Sequence, residues 1–501
     1  MVSLFTFENV HRAYLDCRRG KRNSRSALEF EARLEENLFG LCDELQNRTY
    51  RPQPSICFVT ERPKHREIFA GEFRDRVVHH LIVSRLEPMW EPAFIHDSYA
   101  CRKGKGTHAA VYKLQQFFRE ATANGSRPAW CLHCDVRSYF LKIDKAILLD
   151  RLRHRLRKRA PEWRSEMDWL LERVVMRDTA SDAVRKGQLD LFDLVPPHKS
   201  LFHTENKTGL PIGNYTSQFF ANVYLDALDQ FAKHTLKIRH YVRYVDDVVM
   251  VAEDHGDLER WEAAMKEFLS ANLRLEWNPQ SRRLAPVSNG CDFLGYIVFR
   301  NGLRVRRRTV AHCSEKLAAA RRVLVRPARG GVACFQYDEE TVAALQATVA
   351  SYDGQFRHAC AAAVWRRLFS RFPYLRFYLR RDGHRWRRLD AAPKRFSNLP
   401  EQYGWFARKF RRCLLMFRIG AFYEFFQEQR ERAARTLDLR EGRGRRGIGP
   451  GVGLHYRSKA LRNPKWLSAA IPVAFVEPTT GVAGNVPQRK LTRLYVKLPC
   501  G

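Results

Sequence analysis

The stretch Tyr241-Val-Arg-Tyr-Val-Asp-Asp-Val-Val-Met-Val251 decides how this chain is read. Two β-rich runs flank the adjacent acids Asp246 and Asp247, a pattern that predicts a β-hairpin with two carboxylates at its tip. Adjacent anions repel and raise each other's proton affinity, so such a pair calls for a cation in attendance. A solvated turn is the alternative, because Asp is common in turns. The flanking runs should be buried, and that favours a site.

Upstream, Trp130-Cys-Leu-His-Cys-Asp135 reads as a strand ending in a third acid, with Tyr139-Phe140 shortly after it. Two β segments that each end in Asp can bring three carboxylates around a pair of divalent ions, the arrangement of two-metal phosphoryl transfer. Mg²⁺ suits that work, because it takes few protein carboxylates and accepts phosphate oxygens for the rest. Cys131 and Cys134 would face opposite sides of the strand and have no second C-x-x-C pair, so structural zinc is not expected.

The 501 residues carry 88 Lys and Arg against 54 Asp and Glu, a formal net charge of +34. A folded core does not require that excess, so it points to a polyanionic partner, most simply nucleic acid. No apolar run is long enough to span a bilayer. No secretory leader is recognisable, and a cytoplasmic location without membrane attachment is expected. The 12 cysteines are scattered, and a chain of this size needs no disulfide framework.

The rest of the chain reads as follows. Leu34, Leu38, Leu41 and Leu45 mark an amphipathic helix, 145–159 and 217–233 look helical, and 178–208 reads as an irregular insertion. Helices are expected over 310–326 and 339–380, and a Gly/Arg stretch, 441–453, precedes a last segment of short β-like runs. Boundaries near 308 and 385 divide the chain into 1–308, 309–385 and a basic, aromatic-rich 386–501.

An ordered series of segments now carries a resemblance. Lys64 and Arg66, then 73–78, Ser98-Tyr-Ala-Cys-Arg-Lys-Gly-Lys-Gly106, the Asp135 strand, 209–225, the Asp246-Asp247 hairpin and Phe293-Leu-Gly-Tyr296 resemble reverse transcriptases over about residues 25–365. The resemblance implies an α+β right-hand polymerase: fingers and a palm with an antiparallel sheet (1–308), a helical thumb (309–385), and an appended α/β nucleic-acid-binding domain (386–501). It implies RNA-directed DNA synthesis, with Asp135, Asp246 and Asp247 catalytic. Together with Val136 they would hold two Mg²⁺ ions, for which Mn²⁺ can substitute. Lys64 and Arg66 would grip the incoming dNTP, Arg in a bidentate manner. Phe140 falls at the family's steric-gate position, although an ordinary core aromatic is its bland alternative. Ile212, Gly213 and Gln218 would complete the nucleotide site. Arg74, Arg102, Lys103 and Lys105 would contact nucleic acid, although Arg74 and Arg76 could equally pair with Glu72 or Asp75. The family's Lys beyond the hairpin is replaced by Pro279-Gln-Ser-Arg-Arg283, and arginine is a poor proton donor, so that role stays unassigned.

Gly209-Leu-Pro-Ile-Gly-Asn-Tyr-Thr-Ser-Gln218 is similar to the I-G-x-x-x-S-Q form of reverse transcriptases from diversity-generating retroelements, and Lys199-Ser-Leu-Phe202 fits the same group. Those enzymes copy a template-repeat RNA with errors at adenines. The resemblance therefore implies template RNA, RNA–DNA heteroduplex, dNTPs and a small basic accessory protein as partners. Ile212 either packs or lowers fidelity, since an apolar side chain discriminates less than a hydrogen-bonding one. An antiphage defence reverse transcriptase copying a dedicated noncoding RNA is one alternative. A non-catalytic RNA-binding scaffold is another, and the three acids argue against it. Finally, Leu415-Met-Phe-Arg-Ile-Gly-Ala-Phe-Tyr-Glu-Phe-Phe426 is similar to the opening of the MutS mismatch-recognition domain. Phe422 and Glu424 stand at that family's Phe-x-Glu positions, and core packing is the favoured role for Phe422.

Overall fold

The computed structural model describes residues 3–20, 24–61, 64–157, 159–204, 207–328, 331–359, 361–393, 395–426, 428–437, 439, 451–458, 461 and 471–497. Two compact units divide the chain, 1–302 and 303–501. Among the described residues no helix is long and apolar enough to cross a membrane.

In the first unit a four-stranded antiparallel sheet has the order β5 (His240–Tyr244), β6 (Asp247–Ala252), β3 (Trp130–Asp135), β7 (Arg283–Pro286). Its central strands are nearly continuous runs of Val, Met, Leu and Cys, which suits a sheet covered on both faces. The helix Thr107–Ala121 lies against β5 and buries Ala110, Val111, Leu114, Phe117, Phe118 and Ala121, a 3.6-residue stripe. The helix Tyr215–Gln230 is apolar around most of its circumference, so it runs through the core and packs on Phe73–Trp90. A smaller sheet, β2 (Arg66–Ala70), β1 (Ile56–Thr60) and β4 (Val184–Arg185), includes one strand from the expected insertion, whose other described elements are the short helical segments Asp190–Asp193, Pro197–Lys199 and Leu201–His203. A hairpin, β8 (Cys291–Phe293) and β9 (Tyr296–Phe299), precedes β10 (Gly302–Val305), where the two units divide.

The second unit packs the helices Arg307–Leu324, Glu339–Phe356 and Ala361–Arg371 with a seven-stranded sheet. The sheet order is β11 (Val325–Ala328), β12 (Val332–Gln336), β19 (Val486–Lys497), β18 (Val473–Ala483), β15 (Leu414–Ile419), β16 (Phe422–Phe426), β17 (Gly451–His455). β13 (Leu379–Asp382) and β14 (Arg385–Arg388) form a separate two-stranded ribbon. The expected continuous helix over 339–380 is interrupted: a helix ends at Arg371, Pro373 follows, and the chain has turned into β13 by Leu379. No break falls near 385, because β12 pairs with β19 from Val332↔Lys497 to Gln336↔Arg493 and Phe335, Tyr378, Leu415 and Leu491 share one core. The Gly/Arg stretch 441–453 lies outside the described residues up to 450. The described mixture of helices and mainly antiparallel sheets is the α+β class expected.

Candidate active site

The β5–β6 hairpin forms as the sequence predicts, with Tyr244 opposite Asp247 and only Val245 and Asp246 in the turn. β3 lies antiparallel to β6, and the register places Asp135 directly opposite Asp247. The Val136 amide donates to the Asp246 carbonyl at 3.3 Å, tying the backbone after Asp135 to the hairpin tip. Three acids from two distant segments thus meet at one end of the sheet.

Their electrostatics follow from this crowding. Burial, then repulsion from Asp135 and Asp247, pushes the Asp246 carboxyl up to about 7, while Arg66 opposes the rise. Asp135 is also raised, mainly by burial, although Asn278 stabilises its anion. Asn278 donates its amide N–H to the Asp135 carbonyl at 2.7 Å and its side-chain N–H to Oδ2 at 3.2 Å. His133 Nε2 lies 3.0 Å from Asp247 Oδ1. Asp135 and Asp246, both held above the ordinary carboxylate range with repulsion from Asp247 contributing to each, fit a divalent cation as counter-charge. Among the described residues no group of three His, Cys, Asp or Glu side chains forms a ready-made metal cage. An ion that draws its other ligands from phosphate oxygens and water needs none.

The hairpin tip is held by an arginine that sequence reasoning passed over. Val245 has φ +57°, an uncommon conformation for a β-branched residue. The Arg243 guanidinium, fully buried, donates to the Val245 carbonyl at 2.8 Å, to Asn222 Oδ1 at 3.2 Å and to Ser98 Oγ at 3.1 Å. Its remaining N–H groups bind both Asp229 oxygens at 2.6–3.0 Å, so every donor is engaged. The Tyr241 hydroxyl donates to the same Asp229 at 2.7 Å. The backbone of 97–99 brackets Arg243, which accepts from Tyr99 N and donates to the Asp97 carbonyl.

The nucleotide-site candidates gather on neighbouring backbone. Arg66 opens β2 and is exposed, with exposed Lys64 just before it. Further along β2, the Phe69 amide donates to the Ile212 carbonyl at 2.7 Å. Gly213 sits at φ +128°, and a Cβ there would come 2.4 Å from the Phe69 carbonyl, so only glycine allows the approach. Phe140 is half-buried against Tyr139, and its carbonyl accepts from the Leu210 amide at 2.8 Å, joining it to the same loop. Gln218 is exposed in the first turn of its helix, with Cys101 Sγ 3.5 Å from its Oε1. Val136 buries its side chain in the core.

Other candidates are placed elsewhere. Arg102 is a correction: its side chain is only 5% exposed, clamped by Glu91 and by the Ile95 and Ser98 carbonyls, and packed on Phe94. It braces the 97–106 loop and has no surface to offer nucleic acid. Arg74 pairs with Glu44 and lies over Tyr50, a structural role. Lys103 remains exposed 3.4 Å from Glu87, and Lys105 donates to the His96 carbonyl above the Tyr99 ring. In the second unit Phe422 overturns the core-packing expectation. β16 turns Tyr423 and Phe425 inward and leaves Phe422 41% exposed, edge-on to His455, with Glu424 on its own face. The signals for Arg243 and Asn278 were an arginine inside an apolar β run and an Asn-Pro turn after it.

The family model described as "Reverse transcriptase (RNA-dependent DNA polymerase)" matches residues 60–298, which include every element of this site. Residues 60–298 are a reverse transcriptase domain. The activity of such a domain is RNA-directed DNA polymerisation. The model "MutS domain I" matches 398–497, beyond it. Protein YkfC of Escherichia coli is 23% identical over 310 residues, 55% of this chain and 74% of that protein. The group II intron-encoded protein LtrA of Lactococcus lactis is 21% identical over 338 residues, 54% of this chain and 50% of LtrA, so only half of LtrA's length is spanned. Among solved structures, telomerase from Candida albicans, in complex with a fragment of telomeric RNA, matches at 10% identity and TM-score 0.37, covering 66% of this chain and 58% of that one.

Proposed function

We propose that the reverse transcriptase domain copies an RNA template into cDNA by two-metal-ion phosphoryl transfer, in the mutagenic retrohoming of a diversity-generating retroelement. The observation that carries the catalytic part is the convergence of Asp135, Asp246 and Asp247, with Asp246 pushed up to about 7 by burial and its neighbours. Two divalent ions held by these acids and the Val136 carbonyl would activate the attacking hydroxyl and neutralise the leaving pyrophosphate. Arg66 and Lys64 would bind the triphosphate, Arg66 being the cation already felt by Asp246. Phe140 would bear on the sugar, and Ile212, on the loop fixed to β2, on the nascent pair.

Primer extension on an RNA template tests the chemistry. Wild type should make cDNA with Mg²⁺ or Mn²⁺, and Asp135→Asn/Asp246→Asn/Asp247→Asn should make none; product from the triple variant would end the assignment. The retroelement reading rests on Gly209–Gln218, where Ile212 stands in place of a polar side chain. Sequencing cDNA from Ile212→Gln should show fewer errors at template adenines than wild type. Equal adenine error rates would remove the fidelity role.

A further inference from the structure

The ribbon Leu379-Arg-Arg-Asp-Gly-His-Arg-Trp-Arg-Arg388 lies between the two matched segments. Its register pairs Arg380 with Arg387, Arg381 with Trp386 and Asp382 with Arg385, around a turn opened by Gly383 at φ +56°. Alternation therefore gives the ribbon two faces. The inner one carries Leu379, Trp386 and Arg381, whose exposed guanidinium lies 6.0 Å from the Trp386 ring centre. Trp386 stacks on Phe369 with centroids 5.5 Å apart, touches Trp365 at 5.4 Å, and accepts at its carbonyl from Gln346 at 2.6 Å. Arg388, at the ribbon's base, is taken up by Asp390 and Glu339.

The outer face carries Arg380, Asp382, Arg385 and Arg387, all exposed. Asp382 pairs with Arg387 at 2.7 Å. Arg380 and Arg385 have no carboxylate partner among the described residues. Like charges directly opposite each other weaken a strand pair, and an isolated two-stranded hairpin is marginal in water. Here the aromatic clamp at Trp386 holds the ribbon in place, so its arginines are presented rather than dispersed. No apolar or aromatic side chain stands on the outer face to enter a bilayer or stack on a base, which leaves phosphate contact.

We propose that the β13–β14 ribbon binds the phosphate backbone of duplex nucleic acid, the RNA–DNA heteroduplex made by the polymerase, through Arg380 and Arg385 and without reading sequence. This deepens the polymerase reading and rests on it for the identity of the duplex. The test is fluorescence-anisotropy binding of the full chain to a labelled heteroduplex across a salt series. The slope of log affinity against log salt falls by about 0.9 for each phosphate no longer neutralised. Arg380→Gln/Arg385→Gln should flatten it by about 1.8, with about tenfold weaker binding at the lowest salt. Asp382→Asn, which frees Arg387, should steepen the slope and tighten binding, an outcome that a purely structural ribbon would not give. An unchanged slope in the double variant, with circular dichroism showing the fold intact, would overturn the proposal. So would an equal loss on single-stranded RNA, or binding to anionic phospholipid vesicles that the substitutions weaken just as much. Primer extension by wild type is scored separately: DNA synthesis with an unchanged double-variant slope sinks the ribbon and leaves the polymerase standing, and the converse result does the reverse.

Discussion

Arg243 offers the sharpest separation of stability from catalysis. Removing one member of a buried, hydrogen-bonded ion pair leaves the other charge uncompensated and costs about 3–5 kcal/mol. Arg243→Met or Asp229→Leu alone should each destabilise the first unit by about that amount in urea denaturation. The double variant removes both charges and should recover most of the loss. A residue of about 1–3 kcal/mol should remain, because the Tyr241 hydroxyl, which donates to Asp229 at 2.7 Å, loses its partner. Activity should not recover in step. Val245 at φ +57° sits in a conformation that costs about 1–3 kcal/mol, and its carbonyl is held at 2.8 Å by Arg243. Without that bond the tip relaxes, and 1–3 kcal/mol is about a 5- to 150-fold fall in the population with Asp246 and Asp247 correctly set. Primer-extension kcat per folded molecule should therefore stay depressed by that factor in the double variant. A double variant with wild-type kcat would refute the reasoning and reduce Arg243 to a core ion pair.

Three further outcomes are expected. Gly213→Ala meets the Phe69 carbonyl at 2.4 Å and a positive φ, so it should cost at least about 1–3 kcal/mol and raise the dNTP KM more than it lowers kcat; an unchanged KM would count against the loop's role. Phe140→Val should raise ribonucleotide incorporation about 10- to 200-fold in single-nucleotide addition, the range one missing apolar group spans, and no change would return Phe140 to the core. Burial raises the Asp226 carboxyl from 3.8 to about 6, so its stabilising contribution is present below pH 3.8 and lost as pH rises through 6. The stability of Asp226→Asn relative to wild type should therefore improve by about 2.4 kcal/mol between pH 4 and pH 8 in urea melts, and a gap independent of pH would contradict this.

What the chain order disclosed depended on how local the physics was. β3 and the β5–β6 hairpin were legible because β-branched runs, an acidic turn and strand length all act within a dozen residues. Their mutual register was not. It rests on an antiparallel pairing between 130–135 and 247–252, and the acids' meeting could be inferred only from the chemistry that needs it. The joining of β12 to β19 was invisible for the same reason, since strands more than 150 residues apart leave no periodic trace in either one. Arg102 misled because a basic cluster with two glycines resembles a solvated patch, whereas Glu91, upstream, turns its guanidinium inward. Phe422 misled in the other direction. Apolar residues on a strand fit either face, and only the neighbours of β16 decide that Tyr423 and Phe425 go in.

The same placements explain how a chain of net charge +34 keeps an anionic centre. Arg243 is committed to Asp229 and Arg282 to Glu262, while exposed Lys64 and Arg66 make no ion pair among the described residues. Among the described residues none makes an ion pair with Asp135 or Asp246, and Asp246 feels Arg66 only through space. A lysine or arginine in direct contact would have lowered both carboxyls and occupied the position a metal ion needs. Under the proposed function neutralisation falls to the divalent ions, and exposed arginines such as Arg380 and Arg385 carry part of the surplus positive charge. Under the proposed function the chain must grip a polyanion and still leave Asp135 and Asp246 open to a cation, and pairing Arg243 with Asp229 and Arg282 with Glu262 keeps those arginines off both acids.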